Sequence, residues 1–253
     1  MVTSFLFFPE KEFYEHPKDY GLSPEEVSIP TQDQLHLHGW FFEAPGAPPS
    51  KAVLLFFHGN AGNISGRISK AKGWIERGVS VLLVDYRSYG KSEGKIEKGT
   101  DLLEDAHSTL GWLEQHKGIS SDRIILYGES IGSYPATALA GEKKFAGLIL
   151  EAPFTTVLEL ARAHYGVVPE FLLKDFQMDN EKAIPRVQAP VFVLHGDQDE
   201  VCPKEMGERL YELAPSPKEF YVIQDGAHND LPGIAGAKYF DYPYEFVARE
   251  NSF

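Results

Sequence analysis

Cysteine is almost missing from this sequence: Cys202 is the only one. Neither an intrachain disulfide nor a cysteine-built metal cluster can form from a single thiol. One thiol agrees with a reducing compartment. Long apolar runs are missing as well, and no stretch approaches the ~20 residues that carry a helix across a bilayer. The opening stretch, MVTSFLFF, is apolar but short. It lacks the basic start and small-residue cleavage site of a secretion signal. The expectation is a cytoplasmic protein with no membrane span in this chain, and a membrane anchor further upstream is compatible with it. Basic residues are in deficit, with Lys plus Arg at 24 against Asp plus Glu at 37 and a formal net charge of −13. Such a surface repels polyanions, which excludes nucleic acid as an expected partner and excludes a basic membrane-docking face.

Motifs for metals and phosphates are absent too. There is no H-E-x-x-H pair and no G-x-x-x-x-G-K-[ST] loop. His36 and His38 alternate on a strand pattern and share one face, without a third ligand nearby in sequence, which reads as a half-exposed strand surface. No metal and no cofactor are expected.

What is present is ordinary for a globular chain: 253 residues, 43% hydrophobic and 24% charged. That length suits one large α/β domain, and no linker divides it. Residues 27–29 and 35–42 alternate apolar and polar around a turn at Asp33-Gln34, as strands with one wet face do. From residue 52 the rhythm changes. Continuous apolar runs at 52–57, 79–84, 124–127, 146–150 and 191–194 suit strands buried on both faces. Helix-length stretches at 64–77, 100–115, 131–142, 157–165 and 204–213 lie between or after them. This alternation predicts a mostly parallel sheet with helices on both faces, and the early strands form an antiparallel edge.

Ligands of a parallel sheet bind beyond the carboxyl ends of its strands. The run 124–127 is followed there by Gly128-Glu129-Ser130-Ile131-Gly132, a G-x-S-x-G between a strand and a helix. Small residues allow the sharp turn that lifts a serine hydroxyl above the sheet at a helix N-terminus. A serine needs a base, and the base needs an orienting carboxylate. The loop after 191–194 offers Asp197 and Asp199, and the loop after 220–223 offers His228. The chain order serine, acid, histidine is the one this architecture uses.

Together with Phe57-His58-Gly59-Asn60-Ala61-Gly62-Asn63, Asp85 to Gly94, His195-Gly196-x-x-Asp199 and Gly226-Ala227-His228-Asn229, these stretches resemble the serine-type α/β-hydrolase superfamily from about Val27 to about Phe246. The chain is most similar to the small esterase-like group that includes protein-depalmitoylating thioesterases. The resemblance implies an α/β-hydrolase fold with a mostly parallel central sheet of about eight strands. It implies a single domain over 1–253 with a short lid-like insertion at about 154–186. It selects Asp199 over Asp197 as the acid, since the family acid lies four residues beyond the strand-end position of His195. It makes Ser130 the nucleophile and His228 the base, and assigns the oxyanion hole to the backbone N–H groups of Asn60 and Ile131. His58 is read as orienting its loop, Asp85 to Gly94 as structural, and Asp225 as making local turn bonds. Ser88 stands where relatives commonly carry glycine. Tyr134 replaces a small residue and either narrows the acyl pocket or packs against a neighbour.

The implied activity is hydrolysis of carboxylic esters or thioesters of short to medium acyl chains, the substrate being a small ester or an acylated molecule. A serine peptidase or amidase on the same fold, and a non-catalytic binding member of it, remain as alternatives. An aspartate nucleophile is excluded by Ser130, and Cys202 is not placed to be one.

Overall fold

The computed structural model describes residues 6–46 and 52–251. Its strands are β1 (Phe8–Pro9), β2 (Glu25–Pro30), β3 (His36–Phe42), β4 (Val53–Phe57), β5 (Ala61–Gly62), β6 (Ser80–Val84), β7 (Ile124–Glu129), β8 (Gly147–Glu151), β9 (Val191–Gly196) and β10 (Lys218–Ile223). Its α-helices are α1 (Ile68–Glu76), α2 (Thr100–His116), α3 (Ser133–Ala140), α4 (Val157–Tyr165), α5 (Asn180–Ala183), α6 (Lys204–Leu213), α7 (Leu231–Ala235) and α8 (Lys238–Asn251).

Eight strands form one sheet in the order β10-β9-β8-β7-β4-β6-β3-β2. The β2–β3 and β3–β6 pairs are antiparallel and all the others are parallel. This is the mostly parallel sheet with an antiparallel edge that the apolar runs predict. The central strands are buried on both faces, so every residue of β4 is buried. Val53, Leu55 and Phe57 join the core on one side of the sheet, and Leu54 and Phe56 join the core on the other. The first core takes in Leu102, Ala106 and Leu113 of α2 and Ala136 and Leu139 of α3. The second takes in Ile68, Ala71 and Trp74 of α1 with Tyr239, Phe246 and Val247 of α8. The three tryptophans, Trp40, Trp74 and Trp112, are all buried.

The departures from expectation have local causes. The stretch 64–77 begins as a 3-10 turn at Ile64–Arg67 before α1 starts, and 131–142 begins as one at Ser130–Gly132 before α3. The long helix α8 is not predicted, because Pro243 inside it is a breaker signal. Tyr239, Pro243, Phe246 and Val247 are its buried residues, and that stripe packs it on the sheet despite the lost N–H. A second, two-stranded sheet pairs β1 with β5 in parallel, Phe8 with Ala61 and Pro9 with Gly62. Strands of two residues carry no periodicity to read. His38 is buried where the alternating pattern suggests half-exposure, because β2 and the 85–92 turn both cover it. Its ring takes Glu26 at 2.8 Å, and its backbone N–H donates to Ser92 Oγ.

Between β8 and β9 the chain builds a small cap on the sheet's carboxyl edge. Thr156 caps α4 by accepting the Glu159 N–H, and Asp179 caps α5 by accepting the Lys182 N–H. A Thr156–Asp179 bridge and the Val157 N–H to Met178 O bond tie the two ends of the cap together.

Candidate active site

The elements deliver Ser130, Asp199 and His228 to one place. Ser130 follows β7 with φ of 52°, a left-handed conformation that an L-residue adopts only when its surroundings impose it. The turn imposes it through close packing. A Cβ on Gly128 would lie 2.7 Å from the Gly132 carbonyl oxygen, and one on Gly132 would lie 2.1 Å from the Phe57 carbonyl oxygen. Only glycine fits at either position, so the serine stands on a turn pressed against β4.

His228 sits in the loop after β10, with Nε2 at 3.1 Å from Ser130 Oγ and Nδ1 at 2.7 Å from Asp199 Oδ2. The neutral ring that donates Nδ1–H to the carboxylate presents a bare Nε2 to the serine hydroxyl. Asp199 lies in the loop after β9, where its Oδ1 accepts the N–H groups of Val201 at 2.9 Å and Cys202 at 2.8 Å. His195 Nε2 stands 3.2 Å from Asp199 Oδ2 and donates to the Cys202 carbonyl at 2.8 Å. Burial alone would raise the Asp199 carboxyl. The bonds from His195, His228 and the Cys202 N–H outweigh burial and hold it well below the usual carboxylate range. Asp197 is placed elsewhere: its Oδ1 accepts the Asp225 N–H at 2.8 Å, tying the two loops together. The Cys202 thiol is fully buried, and burial next to Asp199 pushes it far above the ordinary thiol range.

The loop after β4 is held from several sides. His58 Nδ1–H donates to the Gly59 carbonyl at 2.7 Å, and the Tyr86 hydroxyl donates to the His58 carbonyl at 3.0 Å. Arg67 donates to the Ala61 carbonyl at 2.8 Å. The Asn60 N–H takes no acceptor among the described residues. Ile131 lies in the first turn after β7, where N–H groups have no intrahelical partner. Both residues line one cavity of about 280 Å³ with Ser130 and His228. Its apolar side is formed by Phe154, Val157, Leu160 and Met178 of the cap with Val201. Tyr134 is buried outside this cavity, so it packs against neighbours and does not narrow the space beside Ser130.

Sequence reasoning misses a charged cluster directly behind Ser130. Glu129 is buried, with Arg67 Nη2 at 3.0 Å and Lys70 Nζ at 3.3 Å. Lys70 also meets Glu151 at 3.0 Å, and Glu151 accepts the hydroxyls of Tyr127 and Tyr239, each at 2.7 Å. Burial works against the Glu129 charge, but Arg67 and Lys70 prevail and hold its carboxyl far below the usual range. The only trace in the sequence is two cations three residues apart at the start of a helix, and nothing there says which carboxylates they meet.

The fold and this arrangement at the strand ends define a serine-type α/β-hydrolase. The chain belongs to the Hydrolase_4 family, described as serine aminopeptidase, S33, whose model matches residues 48–177 and 164–231. It is 37% identical over 226 residues to protein Rv2307c of Mycobacterium tuberculosis strain H37Rv, covering 88% of this chain and 78% of that protein. It is 29% identical over 255 residues to protein bem46 of Schizosaccharomyces pombe, covering 96% and 84%. Among solved structures it is similar to the Pyrococcus furiosus esterase Pf2001, with a TM-score of 0.77 at 22% identity, covering 96% of this chain and 97% of that one. A puromycin-hydrolyzing peptidase of Mycobacterium tuberculosis gives a TM-score of 0.76 at 19% identity, covering 92% of this chain and 40% of that one.

Proposed function

We propose that the protein hydrolyses carboxylic esters or thioesters of short to medium acyl chains through an acyl-enzyme on Ser130, working as one hydrolase domain capped by residues 154–186. The observation that carries this reading is the continuous chain from Ser130 Oγ through His228 to Asp199, open to a cavity with one apolar side. His228 takes the hydroxyl proton as Ser130 attacks the carbonyl carbon. The carbonyl oxygen becomes an oxyanion facing the N–H groups of Asn60 and Ile131, each well-aimed donor contributing about 3 kcal/mol. The new imidazolium is stabilised by Asp199 and gives its proton to the leaving alcohol or thiol. Water then attacks the acyl-enzyme with His228 again as base, releasing the acid and restoring Ser130.

Cavity size supports the acyl range. About 280 Å³ lies at the small end for ligand pockets, and its apolar residues stand beside the serine. An aminopeptidase reading would want a free carboxylate for the substrate ammonium. Glu129, which lines the cavity, already has Arg67 and Lys70 for partners.

The test is labelling with a fluorophosphonate probe, followed by kinetics on matched esters, thioesters and amides of increasing acyl length. The parent protein labels and Ser130→Ala does not, while kcat falls at least ~10³-fold with the fold intact. For the parent, kcat/KM climbs a few-fold per carbon, at ~0.8 kcal/mol for each buried methylene, and then passes an optimum. A Ser130→Ala protein that still labels would overturn the nucleophile. No labelling of the parent would favour a binding protein, and faster cleavage of the amides would favour a peptidase.

A further inference from the structure

Ahead of β2 the chain runs as an arm that contributes Leu6 and Phe8 to the lining of the cavity. Successive side chains of the arm separate. Phe7 is buried, with its ring centroid 5.8 Å from that of Phe176 in the cap. Leu6 and Phe8 line the cavity that holds Ser130 and His228, and Phe8 is 54% exposed at its rim.

The arm is bonded to the loop after β4 along its length. The Asn60 carboxamide donates from Nδ2 to the Leu6 carbonyl at 2.7 Å and accepts the Phe8 N–H on Oδ1 at 3.1 Å. Tyr89 donates its hydroxyl to the same Oδ1 at 3.0 Å. β1 then pairs with β5, and the Glu10 N–H donates to the Gly62 carbonyl at 3.0 Å. Asn63 Nδ2 donates to the carbonyls of Glu10 at 3.0 Å and Glu12 at 2.8 Å. A carboxamide that both donates and accepts across Leu6 and Phe8 acts as one more strand partner, and it sits on the residue whose own N–H takes no acceptor among the described residues and which lines the cavity.

From this geometry we infer that the arm is a specificity element of the active site. Leu6 and Phe8 form the outer wall of the acyl subsite, facing Val157, Leu160, Met178 and Val201, and the Asn60 carboxamide couples the arm to the oxyanion donor. The ligand class is the apolar acyl chain of an ester or thioester, so the inference rests on the hydrolase reading above. Leu6 and Phe8 determine specificity by touching the acyl group. The Asn60 side chain is a positioning group, distinct from its backbone N–H, which any substitution other than proline retains.

The experiment measures kcat/KM of the full chain on p-nitrophenyl acetate, butyrate and hexanoate, together with the affinity of an aliphatic boronic acid as transition-state analogue. For Leu6→Ala and Phe8→Ala the hexanoate-to-acetate ratio falls by about tenfold, as expected when several methylene contacts are lost. For Asn60→Ala, kcat falls by about tenfold on all three esters at nearly constant KM, and boronate affinity weakens in parallel, as a misaimed oxyanion donor requires. Ratios in both arm variants that match the parent, or an Asn60→Ala protein with the parent's kcat and boronate affinity, would overturn the inference. A parent that neither cleaves these esters nor labels with fluorophosphonate overturns the hydrolase reading, and this inference with it. A parent that does both while the variants stay unchanged overturns this inference alone.

Discussion

Ser130 holds its side chain on a left-handed backbone, and that strain is separable from its chemistry. Ser130→Ala and Ser130→Gly both lose the hydroxyl, but only glycine relaxes at a φ of 52°. Ser130→Gly is therefore expected to be the more stable by roughly 0.5–1 kcal/mol, after allowing for the extra freedom of glycine in the unfolded chain. Urea unfolding of the two variants measures the difference, and equal midpoints would show that the turn is not strained. Asp199 offers two further tests. Asp199→Asn should lower kcat by up to ~10⁴-fold by removing the carboxylate that sets the His228 tautomer, whereas Asp197→Asn only loosens a loop and should be far milder. Because the folded chain holds the Asp199 carboxyl low, its ionised form stabilises the fold above the unfolded carboxyl range near about pH 4, and that contribution is lost as pH falls toward the folded value. Melting temperature should thus drop less steeply below pH 4 in Asp199→Asn than in the parent, and an equally steep acid limb would count against the assignment. Ser130 and His228 stand out in the sequence because each follows its own strand, whereas the choice of Asp199 over Asp197 and of Asn60 comes from the family resemblance alone, since Asp197 follows the same strand. The Glu129–Arg67 pair does not stand out, because it joins residues 62 apart in the chain.

At the scale of elements, the site depends on how closely the β7 turn approaches β4. A Cβ on Gly132 would overlap the Phe57 carbonyl, and neither strand has room to move inside a sheet buried on both sides. Gly132→Ala is expected to destabilise the protein by about 3 kcal/mol or more. An unchanged unfolding midpoint would mean that the turn can shift. The elements that carry this packing are the ones the sequence discloses: β4, β6, β7, β8 and β9 appear as unbroken apolar runs, and α2, α4 and α6 match the predicted stretches within a residue. Legibility fails where the local signal is short or contrary. β1 and β5 have two residues each, and α8 contains Pro243. The cap is legible only in part. Phe154, Leu173 and Phe176 are buried as an apolar face should be, but Tyr165 and Phe171 of the same segment are exposed, Phe171 at 71%. Composition names the apolar residues of a short excursion and leaves open which of them face inward.

The whole molecule carries a formal charge of −13, and the cations of the cluster beside Ser130, Arg67 and Lys70, are matched by Glu129 and Glu151. No unbalanced positive charge in that cluster offsets the overall field at the cavity. An ester with a carboxylate-bearing leaving group should therefore react faster as ionic strength rises from ~10 mM to ~150 mM and the repulsion is screened, by a few-fold in kcat/KM. A neutral ester of the same acyl length should show no such change. A fall in rate for the anionic ester would mean that local cations govern its approach.

Burial of Trp40, Trp74 and Trp112 has an optical corollary. Every indole is shielded from water, and none lines the cavity that holds Ser130. Intrinsic emission should therefore be blue-shifted in the native state, and Trp40, whose ring centroid lies 5.0 Å from that of Phe13, couples part of it to the arm. A single Phe8→Trp replacement places a fourth, half-wet fluorophore at the rim of the cavity. Its quenching or shift on acylation, taken as the difference from the parent's own signal, would report an acyl group arriving beside residue 8.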